Sequence, residues 1–284
     1  MSGACLFQIR CLAQAPLYAL GIIAGNGVYP RLLADGARRA GVEKIVAAAF
    51  TDETDPVLER HVNVLEWMRV GQLGRLLKFF RSQDIHHAIM ADQIAPKNLF
   101  DLRPDLKALM LLGKLKERNA ESIFAAIADE LAKVAVDLLP ATTFLEDSLA
   151  RLGLIAGPKL SPRQEHDVEL GWRIAKEIVR LDIGQTVLVR NGTVVAVEAL
   201  EGTNDAIRRG GELASSGAVM VKVAKPSQDM RFDVPVIGVE TMRVAAEAKL
   251  RVIAVEAEKT LLLERDAIVD LANHSKISIV GRTC

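Results

Sequence analysis

A continuous apolar run, Tyr18-Ala-Leu-Gly-Ile-Ile-Ala24, meets the tight turn Gly25-Asn26-Gly27. It is followed by a segment from Tyr29 to Ala40 in which Leu32, Leu33 and Ala37 recur at helical spacing. An apolar run without alternation predicts a strand covered on both faces, and the helical segment after the turn supplies one of the covers. Strand, glycine turn and helix form the opening unit of a doubly wound α/β domain. The alternation continues with a strand Lys44 to Phe50, a short helical turn Pro56 to Arg60 and a strand Val62 to Trp67. A helix Gln72 to Arg81 and a strand Ala88 to Ala91 complete it. Half the chain is hydrophobic but only 4% is aromatic, so the core is aliphatic, as helices packed on a parallel sheet require.

From Pro104 to Leu139 the spacing predicts helix, stopped by Pro140. A polar cluster, Glu117-Arg118-Asn119-Ala120-Glu121, interrupts it as an inter-helix corner or a polar edge facing a site. The stretch Pro140 to Pro162, with Gly153, Gly157 and Pro158, reads as loop and as the domain boundary. A helix from Gln164 to Leu181 follows, capped by Ser161 at its start and by the glycine of Asp182-Ile183-Gly184-Gln185 at its end. Thr186 to Arg190, Asn191-Gly192 and Thr193 to Val197 form a hairpin with the favoured Asn-Gly turn. Its second strand delivers Glu198 and Glu201 to what comes next. Beyond Pro235 we expect a strand at Val236 to Val239, a helix Thr241 to Ala248 and a strand Arg251 to Val255. A helix Leu261 to Ala272 and a strand Ile277 to Val280 end the pattern. The predicted fold is α/β in two domains. Residues 18–150 form an N-terminal Rossmann-like parallel sheet, and residues 151–284 form an α/β domain with a mixed sheet. A ligand cleft lies between them, after a poorly ordered leader at 1–17.

Several function classes fall away. Lys plus Arg equals Asp plus Glu at 36 each, which gives no electrostatic argument for nucleic acid. Cys5, Cys11 and Cys284 lie near the termini, without metal-type spacing, and fit a reducing cytoplasm. Arg10, Gln14 and Pro16 interrupt the apolar start, which argues against a secretory signal, and no apolar run reaches the ~18 residues of a membrane helix. Contact with a membrane surface or a lipid stays open. The dinucleotide fingerprint is incomplete, because Pro30 stands where a third glycine would sit. The turn Gly25-Asn26-Gly27 is instead a candidate phosphate or sugar contact. His86 and His87 are adjacent on a strand and point to opposite faces, so they do not make a metal site.

The chemistry concentrates between Ala199 and Gly238. Glu201-Gly202-Thr203-Asn204-Asp205 leads into a turn Arg208-Arg209-Gly210-Gly211 and an apolar strand Ala218 to Val223. Lys225 to Pro235 then carries Asp229, Arg231 and Asp233. Glu201, Asp205, Asp229 and Asp233 are more carboxylates than one ion pair needs, and could hold Mg²⁺ together with substrate phosphates. Lys222, Lys225, Arg208 and Arg231 could neutralise a diphosphate. A solvated loop with surface ion pairs is the plainer alternative. There is no P-loop, nucleophile elbow or Cys-His pair for covalent catalysis.

Gly-Ile-Ile-Ala-Gly-Asn-Gly at 21–27, Leu-Asp-Ile-Gly-Gln at 181–185 and Ala-Val-Glu-Ala-Leu-Glu-Gly-Thr at 196–203 resemble the LpxI family. So does Lys-Pro-Ser-Gln-Asp-Met-Arg-Phe-Asp-Val-Pro-Val-Ile-Gly at 225–238, the most specific of these motifs. The resemblance spans roughly residues 18–284. It implies hydrolysis of the pyrophosphate of UDP-2,3-diacylglucosamine to UMP and lipid X, with water attacking the β-phosphorus. The cofactor it implies is Mg²⁺, or Mn²⁺ or Co²⁺ in its place. A homodimer on the inner face of the inner membrane is implied as well. Carried onto this chain, catalysis falls to Asp229, Asp233 and Glu201, and metal binding to Asp229, Asp233 and Asp205. Substrate contacts fall to Gly25, Asn26, Gly27, Thr203, Asn204, Arg208, Lys222 and Lys225. Where the family pattern continues Glu-Gly-Thr with Asp, this chain has Asn204, which cannot act as a base. The competing readings are a non-catalytic nucleotide-sugar or lipid-phosphate binding protein and a phosphosugar transferase.

Overall fold

A computed structural model describes residues 17–91, 104–115, 120–225, 229–232 and 234–283. In the first half, β1 (Ala19–Ala24), α1 (Tyr29–Arg39), β2 (Lys44–Phe50), β3 (Val64–Met68), α2 (Leu73–Ser82) and β4 (His87–Ala91) follow the predicted alternation. Then come α3 (Leu106–Lys114), α4 (Ala120–Ala132) and β5 (Asp137–Leu138). The strands form one parallel sheet in the order β3-β2-β1-β4-β5. Successive residues face opposite sides, so Leu20, Ile22, Ile45 and Ala47 pack with Leu33 and Ala37 of α1. Ile23, Val46 and Ala48 pack with Leu76 and Phe80 of α2 and Leu131 of α4.

The second half is a six-stranded mixed sheet. Its elements are β6 (Gly153–Ala156), α5 (Pro162–Arg180), β7 (Thr186–Arg190), β8 (Thr193–Val197), α6 (Thr203–Ala214) and β9 (Val219–Lys222). They continue with β10 (Val236–Ile237), α7 (Val239–Glu247), β11 (Val252–Glu256), β12 (Leu261–Leu262), α8 (Arg265–Ser275) and β13 (Ser278–Arg282). The order is β6-β13-β11-β9-β7-β8. Strands β13, β11 and β9 are parallel, whereas β6, β7 and β8 each run antiparallel to a neighbour. α5 covers the face that carries Val187, Val189, Val219 and Val221. α6, α7 and α8 cover the face that carries Leu188, Ala196, Met220 and Ile253.

Five local expectations are corrected. The helical stretch up to Leu139 ends at Ala132, Ala135 turns left-handed (φ 59°), and Asp137–Leu138 adds the fifth strand. Gly153–Ala156, read as loop, is the edge strand β6. Arg208 to Gly211 is helix, not turn. A Cβ at Gly210 would lie 2.6 Å from Leu188, and one at Gly211 would lie 2.6 Å from Ala248, so these glycines serve close packing. Leu261–Leu262 is a strand paired with β10, and its helix begins only at Arg265. The left-handed residue after α5 is Asp182 (φ 54°), not Gly184. The leader, the cysteines, and residues 117–119 of the polar cluster lie outside the described residues.

The two halves are stitched by the chain that follows β9. Met230 accepts a hydrogen bond from the Ala141 amide (2.7 Å), and Arg31 pairs with Glu264 (3.1 Å). Leu261 and Leu263 are buried in the α1-side core of the first sheet.

Candidate active site

A polar row crosses the second sheet where its apolar rows end. Thr186 of β7 stands opposite Lys222 of β9, and the Glu198 amide, just past β8, donates to the Thr186 carbonyl (2.9 Å). Side-chain parity puts all three on the face that α6 covers, one step beyond Leu188, Ala196 and Met220. Thr203, the first residue of α6, closes the row. Its hydroxyl donates to Glu198 Oε1 (2.7 Å) and accepts from Lys222 Nζ (2.7 Å). Glu198 and Lys222 are 6% and 5% exposed, so two opposite charges lie in the interior with a hydroxyl shared between them. Burying such groups is costly unless every polar atom finds a partner.

Here some do not. Among the described residues, Glu198 Oε2, Thr186 Oγ1, Gln185 Oε1 and Asn204 Oδ1 are buried without a hydrogen-bond partner. All four belong to the ends of β7 and β8 or to the first turn of α6. Thr186 Oγ1 and Glu198 Oε2 belong to the row on the α6-covered face, and orphaned polar atoms placed side by side fit a site that a polar ligand completes. α6 starts at Gly202 (φ 85°), which offers no side-chain cap, so the first-turn amides are free of that competitor and suited to an anion. Gly184 is essential to the arrangement, since a Cβ there would lie 2.1 Å from the Glu198 carbonyl oxygen.

Asp229 lies further along the chain after β9. Arg231 grips it with Nε (3.0 and 3.1 Å), Nη2 (2.6 Å) and its own amide (3.0 Å). That guanidinium hydrogen bond holds the Asp229 carboxyl below its ordinary value of 3.8, against the opposing effect of partial burial. Phe232 then plugs into the first domain, its ring 5.9 Å from that of Phe124. Phe124 borders an apolar cavity of about 90 Å³ between α2, α3 and α4. Ile23, Gly25 and Met90 close one end of it, and Leu111 and Leu112 of α3 line its wall. Phe232 thereby meets Phe124, one of the side chains that line the apolar cavity.

The other predicted residues are placed differently. Glu201 accepts from the Ala199 amide (3.0 Å) and pairs with Arg209, whose hydrogen bond lowers its pKa; it anchors the loop. Asp205 pairs with Arg208 (2.7 Å), both about half exposed on one helix. Lys225 pairs with Asp182. The Gly25 amide donates to the Ala91 carbonyl (2.8 Å) and the Gly27 amide to Asn26 Oδ1 (2.6 Å), so these two amides are engaged internally. Asp233 lies outside the described residues. The sequence motif points to Glu201, whereas the buried row uses Glu198. Strand parity was the available signal, because Glu198 continues the inward positions of Ala196 and Glu201 lies beyond the strand.

No cluster of three or more His, Cys, Asp or Glu side chains suited to a metal occurs among the described residues. His86 is exposed beside Asp84.

Comparison with known proteins supplies the chemistry to set beside this geometry. Residues 19–148 match the sequence model of the LpxI N-terminal domain, and residues 151–280 that of the LpxI C-terminal domain. UDP-2,3-diacylglucosamine pyrophosphatase LpxI of Caulobacter vibrioides is 31% identical over 275 residues, covering 92% of this chain and 96% of that protein. Among solved structures, the biotin carboxylase domain of Hydrogenobacter thermophilus 2-oxoglutarate carboxylase aligns at 9% identity with a TM-score of 0.29. The alignment covers 71% of this chain and 42% of that one. The ADP complex of the N5-carboxyaminoimidazole ribonucleotide synthetase purK aligns at 12% identity with a TM-score of 0.29, covering 73% and 47%. Likenesses this low bear on neither fold nor activity.

Proposed function

Because the chain belongs to the LpxI family, we propose that it hydrolyses the pyrophosphate bond of UDP-2,3-diacylglucosamine, releasing UMP and lipid X. The observation that carries this reading is the set of buried polar atoms without partners among the described residues, beside the Glu198–Thr203–Lys222 row. The buried Glu198–Thr203–Lys222 row, with its orphaned oxygens, suits a pyrophosphate, and the apolar cavity lined by Phe124, at about 90 Å³, has room for a few carbons at the end of an acyl chain. In this reading Lys222 and the first-turn amides of α6 stabilise the charge that grows on the leaving phosphate. Glu198 Oε2, the unpartnered buried carboxylate oxygen, accepts the proton of the attacking water. Asp229, held as an anion by Arg231, is a poor proton acceptor and a good electrostatic group.

Mg²⁺ commonly takes one or two carboxylates and completes its shell with substrate phosphates and water, and Asp229, kept ionised by Arg231, is a carboxylate of that kind. Asp229, with Asp233, would hold it, and Mn²⁺ or Co²⁺ would use the same donors. When bound, the ion neutralises pyrophosphate charge. Asp205, paired with Arg208 and about half exposed near the start of α6, is the third carboxylate within this proposal. The attack is at the β-phosphorus, and the working unit is a homodimer on the inner face of the inner membrane. No helix among the described residues is long and apolar enough to cross a membrane.

The test is UMP release from detergent-dispersed substrate in ¹⁸O-water, with Mg²⁺ and with EDTA. We expect release that EDTA abolishes and label in lipid X. Label in UMP would move the attack to the other phosphorus. Tight binding without turnover would leave a binding protein, and an unlabelled product joined to an added acceptor would make it a transferase.

A further inference from the structure

α3 turns an apolar stripe outward. Leu106, Leu109 and Met110 are 73%, 57% and 54% exposed at i, i+3 and i+4 spacing, while Ala108 is buried and Leu111 and Leu112 line the cavity. The outward stripe is held in place. Asp105 Oδ1 caps α3 through the Ala108 amide (2.9 Å), and Oδ2 accepts from the Gly74 amide of α2 (2.7 Å). Three large apolar side chains within five residues are more than a solvated helix needs.

The charges beside this stripe choose the partner. The helix, Leu-Lys-Ala-Leu-Met-Leu-Leu-Gly-Lys, carries Lys107 and Lys114 and no carboxylate. On neighbouring α4, Glu130 is bridged by Lys107 (3.0 Å) and Lys133 (2.6 Å). Lys107, Lys114 and Lys133 line one depression with Met110, Asp129 and Glu130, three lysines to two carboxylates, while Asp105 at the helix start is turned onto backbone amides. A short helix with lysines flanking an exposed leucine stripe matches an element that lies in the headgroup layer of an anionic bilayer. At ~1.5 Å per residue it is too short to cross one.

We propose that α3 docks the protein on a bilayer rich in anionic phospholipid. An acyl chain leaving that bilayer then has only one helix thickness, ~10 Å, to pass before the cavity on the other side of α3. The inference rests on the lipid-linked substrate proposed above, and the test separates the two.

Purified protein would be sedimented at low salt with phosphatidylethanolamine–phosphatidylglycerol vesicles and with phosphatidylcholine vesicles. The wild type and a triple variant, Leu106→Gln with Leu109→Gln and Met110→Gln, would be compared, with Lys114→Glu as a second probe. We expect the wild type to pellet with the anionic vesicles alone. The triple variant should bind at least about tenfold more weakly, and Lys114→Glu at least about fivefold. Both variants should keep the wild-type melting temperature and the rate of UMP release from detergent-dispersed substrate. Vesicle binding that both variants retain in full would overturn the proposal, as would a wild type that ignores anionic vesicles. Loss of a dimer in light scattering with unchanged vesicle binding would assign the stripe to a second copy of the chain. If the wild type binds vesicles through α3 but releases no UMP, the reaction proposed above fails and the docking surface stands.

Discussion

Asp229→Asn is expected to lower kcat for UMP release by about a thousandfold, while lipid X still binds and the melting temperature changes little. The substitution keeps the shape of the side chain, removes its charge and turns one of the two oxygens that accept from Arg231 into a donor. Arg231, Met230 and Phe232 hold the segment by contacts that an amide preserves in part. A fall in kcat without a matching loss of binding would place the effect in the transition state. Near-normal turnover would exclude Asp229 from the reaction. The pH profile adds an independent check. Arg231 depresses the Asp229 carboxyl below 3.8, so the ionised form persists from neutral pH down past that value. The pairing therefore contributes stability that is present above the unfolded-state pKa and lost only as pH falls through the lower folded value. Arg231→Met removes the largest cause of the depression, and the acid limb of the rate profile that belongs to Asp229 should then move to higher pH. An acid limb that stays in place in Arg231→Met would break the link between the two residues.

Lys222→Met should cost at least about a hundredfold in kcat/KM, and about 3 kcal/mol of stability as well. The two losses have different origins. Turnover falls because a buried cation no longer faces the pyrophosphate. Stability falls because Glu198, 6% exposed, is left in the interior without the cation that shares its Thr203 hydroxyl. The double variant Lys222→Met with Glu198→Gln distinguishes them, since neutralising both ends of the row should restore most of the stability and none of the activity. A double variant as unstable as the single one would show that Lys222 matters through packing of its stem and not through its charge.

The strands and most helices of this chain are legible because its core is aliphatic and periodic. Lys44–Phe50 and the Asn191-Gly192 hairpin, for example, occur at their predicted positions. What escapes reading is short or two-faced. Asp137–Leu138 and Leu261–Leu262 are too brief to show a period, and tertiary pairing alone makes them strands. Gly210 and Gly211 look like a turn, yet α6 needs them bare to approach Leu188 and Ala248. In the site, charge-rich residues such as Glu201 and Asp205 draw the eye because they are many, and the structure shows them satisfied by Arg209 and Arg208. The residue that stands out in three dimensions, Glu198, does so because one of its oxygens has no partner, a property that composition and spacing do not contain.

Phe232 places a ring in the first domain within four residues of Asp229. In the proposed reaction the end of an acyl chain entering the cavity meets Phe124, which also seats this ring, so filling the cavity would bear on the segment that carries Asp229. Binding energy gained far from the phosphorus is then realised in the rate of the chemical step. A UDP-sugar without fatty acids would occupy the polar row and be turned over slowly even at saturation. Selection for the acylated substrate would thus operate through kcat, and the soluble nucleotide sugars around it would be spared.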